Sequence, residues 1–179
     1  MNAPGAFMHL FDAIFTLAIF LFLTRFLLQL VQADFYNPIS QTIVRITHPI
    51  ITPVQQIIPV VGRANFAALL IVFLLIIGKM MVQFYFAFGR IPFGLGVLVY
   101  VLHTTASLLI SYFYWAVIIR IILSWIAPDP RQPFTAILID ITEPLMAPAR
   151  RLLPAMGGLD FSPIIVLLGL QFLRIMFQL

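Results

Sequence analysis

The sequence predicts an all-α integral membrane protein with four transmembrane helices, arranged as two parallel tandem repeats that each contain a broken amphipathic linker helix in the interface. Three observations predict it. Of 179 residues, 63% are hydrophobic and 9% charged, with a mean hydropathy of +1.11, whereas soluble domains have about 45–50% apolar and about 25% charged residues. Lipid covers apolar side chains directly, so such an excess of Leu, Ile and Phe needs no polar shell. Four apolar stretches are each long enough to span about 30 Å as a helix. Finally, the chain repeats itself. Arg25, Asp34, Pro38, Thr47, Pro49, Pro53, Pro59, Gly62 and Phe66 recur as Arg120, Asp129, Pro133, Thr142, Pro144, Pro148, Pro154, Gly157 and Phe161, every pair 95 positions apart, and the offset runs on to Gln83 and Gln178.

Residues 1–10 read as a short tail and 11–88 as the first repeat. Within it, Phe11–Val31 is a predicted span, apolar apart from Asp12, Thr16, Arg25 and Gln29. Gln32, Asp34, Tyr36, Asn37 and Pro38 end it, since a polar cluster with proline neither suits hydrocarbon nor continues a helix. Ile39, Ile43 and Ile46 then recur at helical spacing opposite Ser40, Gln41, Thr42 and Arg45, the pattern of an amphipathic helix. Pro38 suits its first turn and Pro49 is expected to end or kink it, with a second short piece before Pro59. Phe66–Phe88 is the second predicted span, with Asn65 as its N-cap. Residues 89–96, rich in Gly and Pro, form a turn.

Residues 97–179 repeat the plan. Val97–Ala127 exceeds the length a perpendicular span needs, a surplus that tilt accommodates. Phe134, Ile137, Leu138, Ile141 and Leu145 make the apolar stripe of the second linker helix, opposite Asp140 and Glu143. Arg150 and Arg151 stand where the first copy has Gln55 and Gln56, and Asp160 stands where it has Asn65. Asp160–Leu179 is the fourth predicted span. Glycines Gly78 and Gly169 are candidates for close helix approach.

Two crossings per repeat start both copies on the same side of the bilayer. Arg45, Arg63, Arg131, Arg150 and Arg151 lie in the two linkers, against Arg90 between the second and third spans. The positive-inside rule therefore predicts cytoplasmic linkers and periplasmic termini. A cleaved signal peptide is not expected, because no basic segment precedes the first apolar run.

Charges inside apolar stretches are the residues that do more than pack. Arg25, Lys79, Arg120 and Arg174 are the candidate membrane-embedded cations, because charge within hydrocarbon faces protein, water or headgroups. Arg25 and Arg120 each precede an acid, Asp34 or Asp129, by nine residues, about 13.5 Å of helix. Direct helical pairing is excluded by that distance, so any pairing needs the chain to turn back after the span; interfacial anchoring is the first reading of both arginines, with structural pairing inside the bundle and a transport or binding role as the alternatives. Thr47-His48-Pro49 and Thr142-Glu143-Pro144 read as helix-ending signatures.

No cysteine is present, which excludes disulfides and thiolate chemistry by this chain. His9, His48 and His103 lack metal-ligand spacing, and phosphate-binding and nucleophile motifs are missing. No cofactor and no catalytic or metal residue is expected, and the chain is not read as an enzyme. The net charge of +4 comes from scattered basic residues, of which only Arg150 and Arg151 adjoin, so direct nucleic-acid binding is not expected either.

Trp125-Ile126-Ala127-Pro128-Asp129-Pro130, Thr142-Glu143-Pro144-Leu145, Pro148-Ala149-Arg150-Arg151-Leu152-Leu153-Pro154 and Gly158-Leu159-Asp160-Phe161-Ser162-Pro163 resemble the YggT family, as two copies covering essentially the whole chain. The first copy departs from the pattern at His48, at Gln55 and Gln56, and at Asn65-Phe66-Ala67-Ala68, and is expected to keep only a scaffold role. The resemblance implies a multi-pass protein of the bacterial inner membrane, related to plastid membrane proteins. Relatives are linked to assembly of haem-containing cytochromes, to organisation of division or nucleoids, and to osmotic tolerance and ion uptake. The expected function is a non-enzymatic scaffold or assembly factor, with cytoplasmic linkers that contact a membrane or division protein and anionic phospholipids. Asp129, Glu143, Arg150, Arg151 and Asp160 are the candidate contacts. The alternative is a component of ion or small-solute transport linked to osmotic tolerance, acting as a homo-oligomer.

Overall fold

A computed structural model describes residues 3–126, 129, 131–152 and 160–177. Expectations that fall on Ala127, Pro128, Pro130, Leu153, Pro154, Gly157, Gly158, Leu159 and Gln178 lie outside the described residues. Six helices follow one another among those described: α1 Ala3–Leu30, α2 Pro38–Gln55, α3 Phe66–Phe88, α4 Leu95–Ile126, α5 Pro133–Leu152 and α6 Ser162–Met176. The all-α expectation holds. The expectation of four spans in two matching repeats does not.

Only α1, α3 and α4 are long and apolar enough to cross a bilayer, among the described residues. The fourth predicted span contributes α6, whose 15 residues rise about 22 Å, short of the hydrocarbon thickness. The apolar run counted Asp160 and Phe161 as helix, but Asp160 Oδ1 instead accepts the Ser162 N–H at 2.9 Å, a turn that holds both residues outside the first helical position. At the other end of the chain α1 begins at Ala3, so the expected tail is largely helical.

The linkers also differ from expectation, because α2 and α5 are continuous rather than broken. Each runs through two prolines, Pro49 and Pro53 in α2 and Pro144 and Pro148 in α5. Proline removes one backbone donor and crowds the carbonyl four residues earlier. All four prolines lie on exposed surface, where freed carbonyls meet water or headgroups instead of going unpaired in a core. On the buried face, Thr47 Oγ1 donates to Ile43 O at 2.7 Å and Thr142 Oγ1 donates to Leu138 O at 2.7 Å. Thr-X-Pro therefore marks a proline tolerated in mid-helix.

Two compact units divide the chain within α2 and α4: Met1–Leu30 with Thr42–Thr105, and Val31–Gln41 with Ala106–Leu179. In the first, α1 packs along α3. Leu23, Leu27, Val72, Ala67 and Ala68 are almost wholly buried, and small residues at the start of α3 let the backbones approach. A Cβ added at Gly78 would meet the Phe15 ring at 3.5 Å, an ordinary contact, so alanine fits there as well. Gly169 has nothing within 4 Å and serves no close approach. Phe7, Leu10, Ile14 and Leu17 stay more than half exposed along one face of α1, as a face turned to acyl chains should.

The ends of these helices are set by local chemistry. Gln32 takes φ +56°, the left-handed conformation that stops α1. Gly89, at φ +65°, caps α3 and donates its N–H to Tyr85 O at 2.8 Å. Asn65 caps the start of α3, accepting the Ala68 N–H at 3.2 Å, while its Nδ2 donates to Gln29 Oε1 at 2.9 Å. Asn65 is fully buried.

In the second unit, Val117, Met146 and Leu170 are surrounded by Ile110, Phe113, Tyr114, Ile121, Leu145, Val166 and Leu167. Of the apolar stripe read from the sequence, Ile137, Leu138 and Ile141 lie on the buried face of α5 and Leu145 is partly buried, whereas Phe134 is half exposed. Asn37 Nδ2 donates to Pro133 O at 2.7 Å, fastening the segment after α1 to the first residue of α5.

Replacing Asn65 with alanine should remove a helix cap and orphan Gln29, costing about 1–2 kcal/mol. Thermal unfolding in detergent checks this, and an unchanged midpoint would contradict the capping role.

Candidate functional site

The charged residues singled out from the sequence do not form one site. Four of them assemble in the second unit. Arg120, near the end of α4, donates from Nη1 to Thr142 Oγ1 at 2.7 Å and reaches Glu143 Oε2 from Nη1 at 3.3 Å and from Nη2 at 3.2 Å. Arg150, two helical turns further along α5, pairs with the other carboxylate oxygen, Glu143 Oε1. Its Nη1 lies 3.9 Å from Asp160 Oδ2, just before α6. Glu143 thus bridges two guanidinium groups and Arg150 bridges two carboxylates. The resulting chain Arg120–Glu143–Arg150–Asp160 alternates in sign and is neutral.

The arrangement ties three elements together. Arg120 is 19% exposed and Glu143 41%, so the inner end of the clamp is the better shielded and Coulombic attraction there is stronger. Asp160 is held below the usual carboxylate range, chiefly by a hydrogen bond to the Ser162 side chain, then by the Ser162 N–H and by Arg150 and Arg120, against an opposing effect of partial burial.

Asp34 and Asp129, nine residues beyond Arg25 and Arg120, hold local turns. Asp129 Oδ1 accepts the Arg131 N–H at 2.9 Å and Asp34 Oδ1 accepts the Tyr36 N–H at 2.8 Å, matching turns at the repeat offset. Both acids shape the exit from a helix. Arg151 is exposed in the last turn of α5.

Lys79 belongs to a separate cluster in the first unit. Its Nζ lies 2.8 Å from Asp12 Oδ1 and donates to Thr16 Oγ1 at 2.8 Å, and Gln83 Nε2 donates to the same Asp12 oxygen at 2.8 Å. The sequence reading gives Asp12, Thr16 and Gln83 no joint role. Thr16 follows Asp12, and Gln83 follows Lys79, by one helical turn. Two polar pairs at i, i+4 on successive apolar helices were the available signal.

At the same offset, Asp12 and Lys79 correspond to Ser107 and Arg174. There the acid is missing. Arg174 instead places its Cζ 4.6 Å from the Tyr114 ring centroid, a cation–π contact, while its Nε and Ser107 Oγ are buried without a hydrogen-bond partner. Arg25 shows the converse loss, with Nε and Nη1 buried and lacking an acceptor.

Long apolar helices, a proline-tolerant amphipathic helix and ion pairs that neutralise embedded charge together define an all-α, multi-span membrane protein. A profile of the CCB3/YggT family matches residues 5–86 and again residues 99–179. The chain belongs to the CCB3/YggT family and is, with it, a non-enzymatic membrane protein. It is 38% identical over 167 residues to an uncharacterised protein of Pseudomonas aeruginosa, covering 93% of this chain and 85% of that one. A Vibrio alginolyticus protein encoded in the proC 3' region is 38% identical over 164 residues, 91% of this chain and 88% of its own. The uncharacterised protein YggT of Escherichia coli strain K12 is 42% identical over 147 residues, 82% of this chain and 75% of its own. No solved structure matches the chain.

Glu143→Gln should leave Arg120 and Arg150 without their shared counter-ion. After discounting the loss of a buried pair for partial exposure, the expected cost is about 1–3 kcal/mol, read as a lower unfolding midpoint in detergent. Asp160 supplies a pH signature of its turn with Ser162 and, more weakly, of its contact with the clamp. Because its folded-state titration is depressed, its contribution is complete above the ordinary carboxylate range, declines below about pH 4 and is gone once the pH falls beneath the lowered value. Asp160→Asn should flatten this acid limb of the stability profile; an unaltered limb would show that the Asp160 carboxylate, through its turn with Ser162 and its contact with Arg150, does not stabilise the fold.

Proposed function

We propose that this chain is an inner-membrane scaffold or assembly factor whose linker helices α2 and α5 present fixed surfaces to a partner membrane protein and to anionic phospholipids. The observation that carries the reading is the clamp on α5. A helix tied to α4 through Glu143 and to the start of α6 through Arg150 cannot roll freely about its axis, so its uncovered side offers partners a constant face. Arg151 lies on exposed surface beside the clamp, available to a carboxylate or a lipid phosphate. Ile46 and Ile50 on α2 are about half exposed and suit insertion among acyl chains or against an apolar partner.

The linkers lie on the cytoplasmic side and the N-terminus on the periplasmic side. Three crossings by α1, α3 and α4 bring α2 and α5 to the same side, and the arginine-rich linkers against Arg90 in the opposite turn give the direction. Ion or solute transport is the second reading, favoured by the Asp12–Lys79 pair between apolar helices. Pairing neutralises that charge and argues for a structural role.

Single cysteines at Gln56, Gln132 and Gly96 test the topology, since the chain has none of its own. An impermeant thiol reagent applied to intact cells should label Gly96→Cys alone. A photocrosslinking residue at position 151 should then give a discrete protein adduct that Glu143→Gln diminishes at unchanged membrane levels. Adducts indifferent to Glu143, together with vesicle ion flux abolished by Lys79→Met, would replace scaffolding with transport.

A further inference from the structure

The two units carry very different charge. The first, Met1–Leu30 with Thr42–Thr105, holds Arg25, Arg45, Arg63, Lys79 and Arg90 against Asp12 alone. In the second, Arg120, Arg131, Arg150, Arg151 and Arg174 are matched by Asp34, Asp129, Asp140, Glu143 and Asp160. The entire net charge of +4 therefore resides in the first unit. Its one carboxylate is already engaged by Lys79 and Gln83. Nothing acidic within that unit remains for Arg25.

The same conclusion follows position by position. The clamp Arg120–Glu143–Arg150–Asp160 corresponds, at the repeat offset, to Arg25, His48, Gln55 and Asn65. Both acids have been replaced and the second arginine has gone, yet the embedded arginine is retained. Local backbone geometry around the lost acid is unaltered: Thr47 Oγ1 donates to Ile43 O at 2.7 Å and approaches Val44 O at 3.3 Å, as Thr142 Oγ1 does with Leu138 O and Ile139 O at 2.7 and 3.3 Å. Asn65 has been turned to capping α3. What is missing is an anion. Arg25 Nε and Nη1 are buried with no acceptor, a costly state for a permanent cation.

We propose that Arg25 is the anchor of a binding site for the phosphate of an anionic phospholipid, which supplies from the bilayer the counter-ion that Glu143 supplies in the second unit. Arg25 lies five residues before the end of α1 at Leu30, about 7.5 Å of helix. An arginine side chain covers that distance, stem along the acyl chains and head toward the headgroups. Its residue surface is only partly covered, so rotation about the terminal bonds brings the guanidinium edge to the phosphate. The planar fork of N–H donors matches two phosphate oxygens at once. The uncompensated charge of the first unit selects a lipid with net negative charge over a zwitterionic one. This inference deepens the lipid contact of the proposed function, and its failure would leave partner docking by α5 standing.

The test uses the full-length protein, delipidated in detergent and titrated with phosphatidylglycerol, phosphatidylcholine or inorganic phosphate, with binding counted by native mass spectrometry and stability by thermal unfolding. Phosphatidylglycerol should bind and raise the unfolding midpoint, with the other two probes having much smaller effects. Arg25→Gln should weaken phosphatidylglycerol binding about tenfold or more, while Arg45→Gln should retain it. His48→Glu keeps the question answerable if Arg25→Gln does not fold: an internal carboxylate should raise the lipid-free midpoint and remove most of the lipid-dependent rise. Full binding by Arg25→Gln, or an undiminished lipid response in His48→Glu, would overturn the proposal. An equal, Arg25-dependent response to inorganic phosphate would overturn the lipid assignment in favour of a soluble anion.

Discussion

Hydrocarbon cannot solvate charge, and that constraint governs most of this structure's polar chemistry. A cation inside an apolar helix must find an anion, an aromatic face, a headgroup or water. Here the solutions differ from one position to the next. Lys79 is answered by Asp12 across α1 and α3, Arg120 by Glu143 across α4 and α5, and Arg174 by the ring of Tyr114. Each solution also fixes the register between two elements, because a long polar side chain satisfied at one place is unsatisfied a turn away. Electrostatics supplies the specificity that apolar packing in lipid lacks, since leucine against leucine and leucine against an acyl chain are nearly equivalent.

Duplication explains how these solutions diverged. Equivalent positions retain the same backbone devices: the aspartate turns at Asp34 and Asp129, and the threonine back-bonds at Thr47 and Thr142. Such devices are local, complete within a few residues, and indifferent to what packs nearby. Ion pairs join separate elements, and each half has one that the other lacks. The first half has Asp12 with Lys79 but His48 opposite Arg25 in the repeat; the second has Glu143 with Arg120 but Ser107 in the place of Asp12. Loss of an acid without loss of its cation leaves a chemical demand. Tyr114, which stands where the first half has Ile19, meets part of that demand for Arg174.

The prolines obey the same accounting of polar groups. Four of them interrupt the hydrogen bonding of α2 and α5 without ending either helix. Each is exposed, so the carbonyl it releases faces a medium that can hydrogen-bond it, and each helix keeps a buried face opposite, with Thr47 and Ile51 in α2 and Ile137, Leu138 and Ile141 in α5. A helix with one tolerant side and one packed side is suited to the boundary between water and lipid. The salt-bridge clamp then gives α5 a definite orientation there.

Membrane character, the all-α class, the duplication, the apolar stripe of α5 and the cap at Asn65 were all legible in the sequence, because composition, helical period and capping act over a few residues or over the whole chain at once. The partners of Arg120 and Lys79 were not. Glu143 lies a helix end, a turn and half a helix beyond Arg120, and Asp12 a linker and two helices before Lys79, so only packing could bring either pair together. Proline identity announced helix breaks at Pro49 and Pro144, but exposure of those positions, decided by tertiary packing, made the breaks unnecessary. Hydropathy likewise counted a fourth span from Asp160 onward. The turn held by Asp160 and Ser162 delays the helix to Ser162, because a carboxylate that can cap a turn and face Arg150 is more stable there than inside a helix crossing lipid.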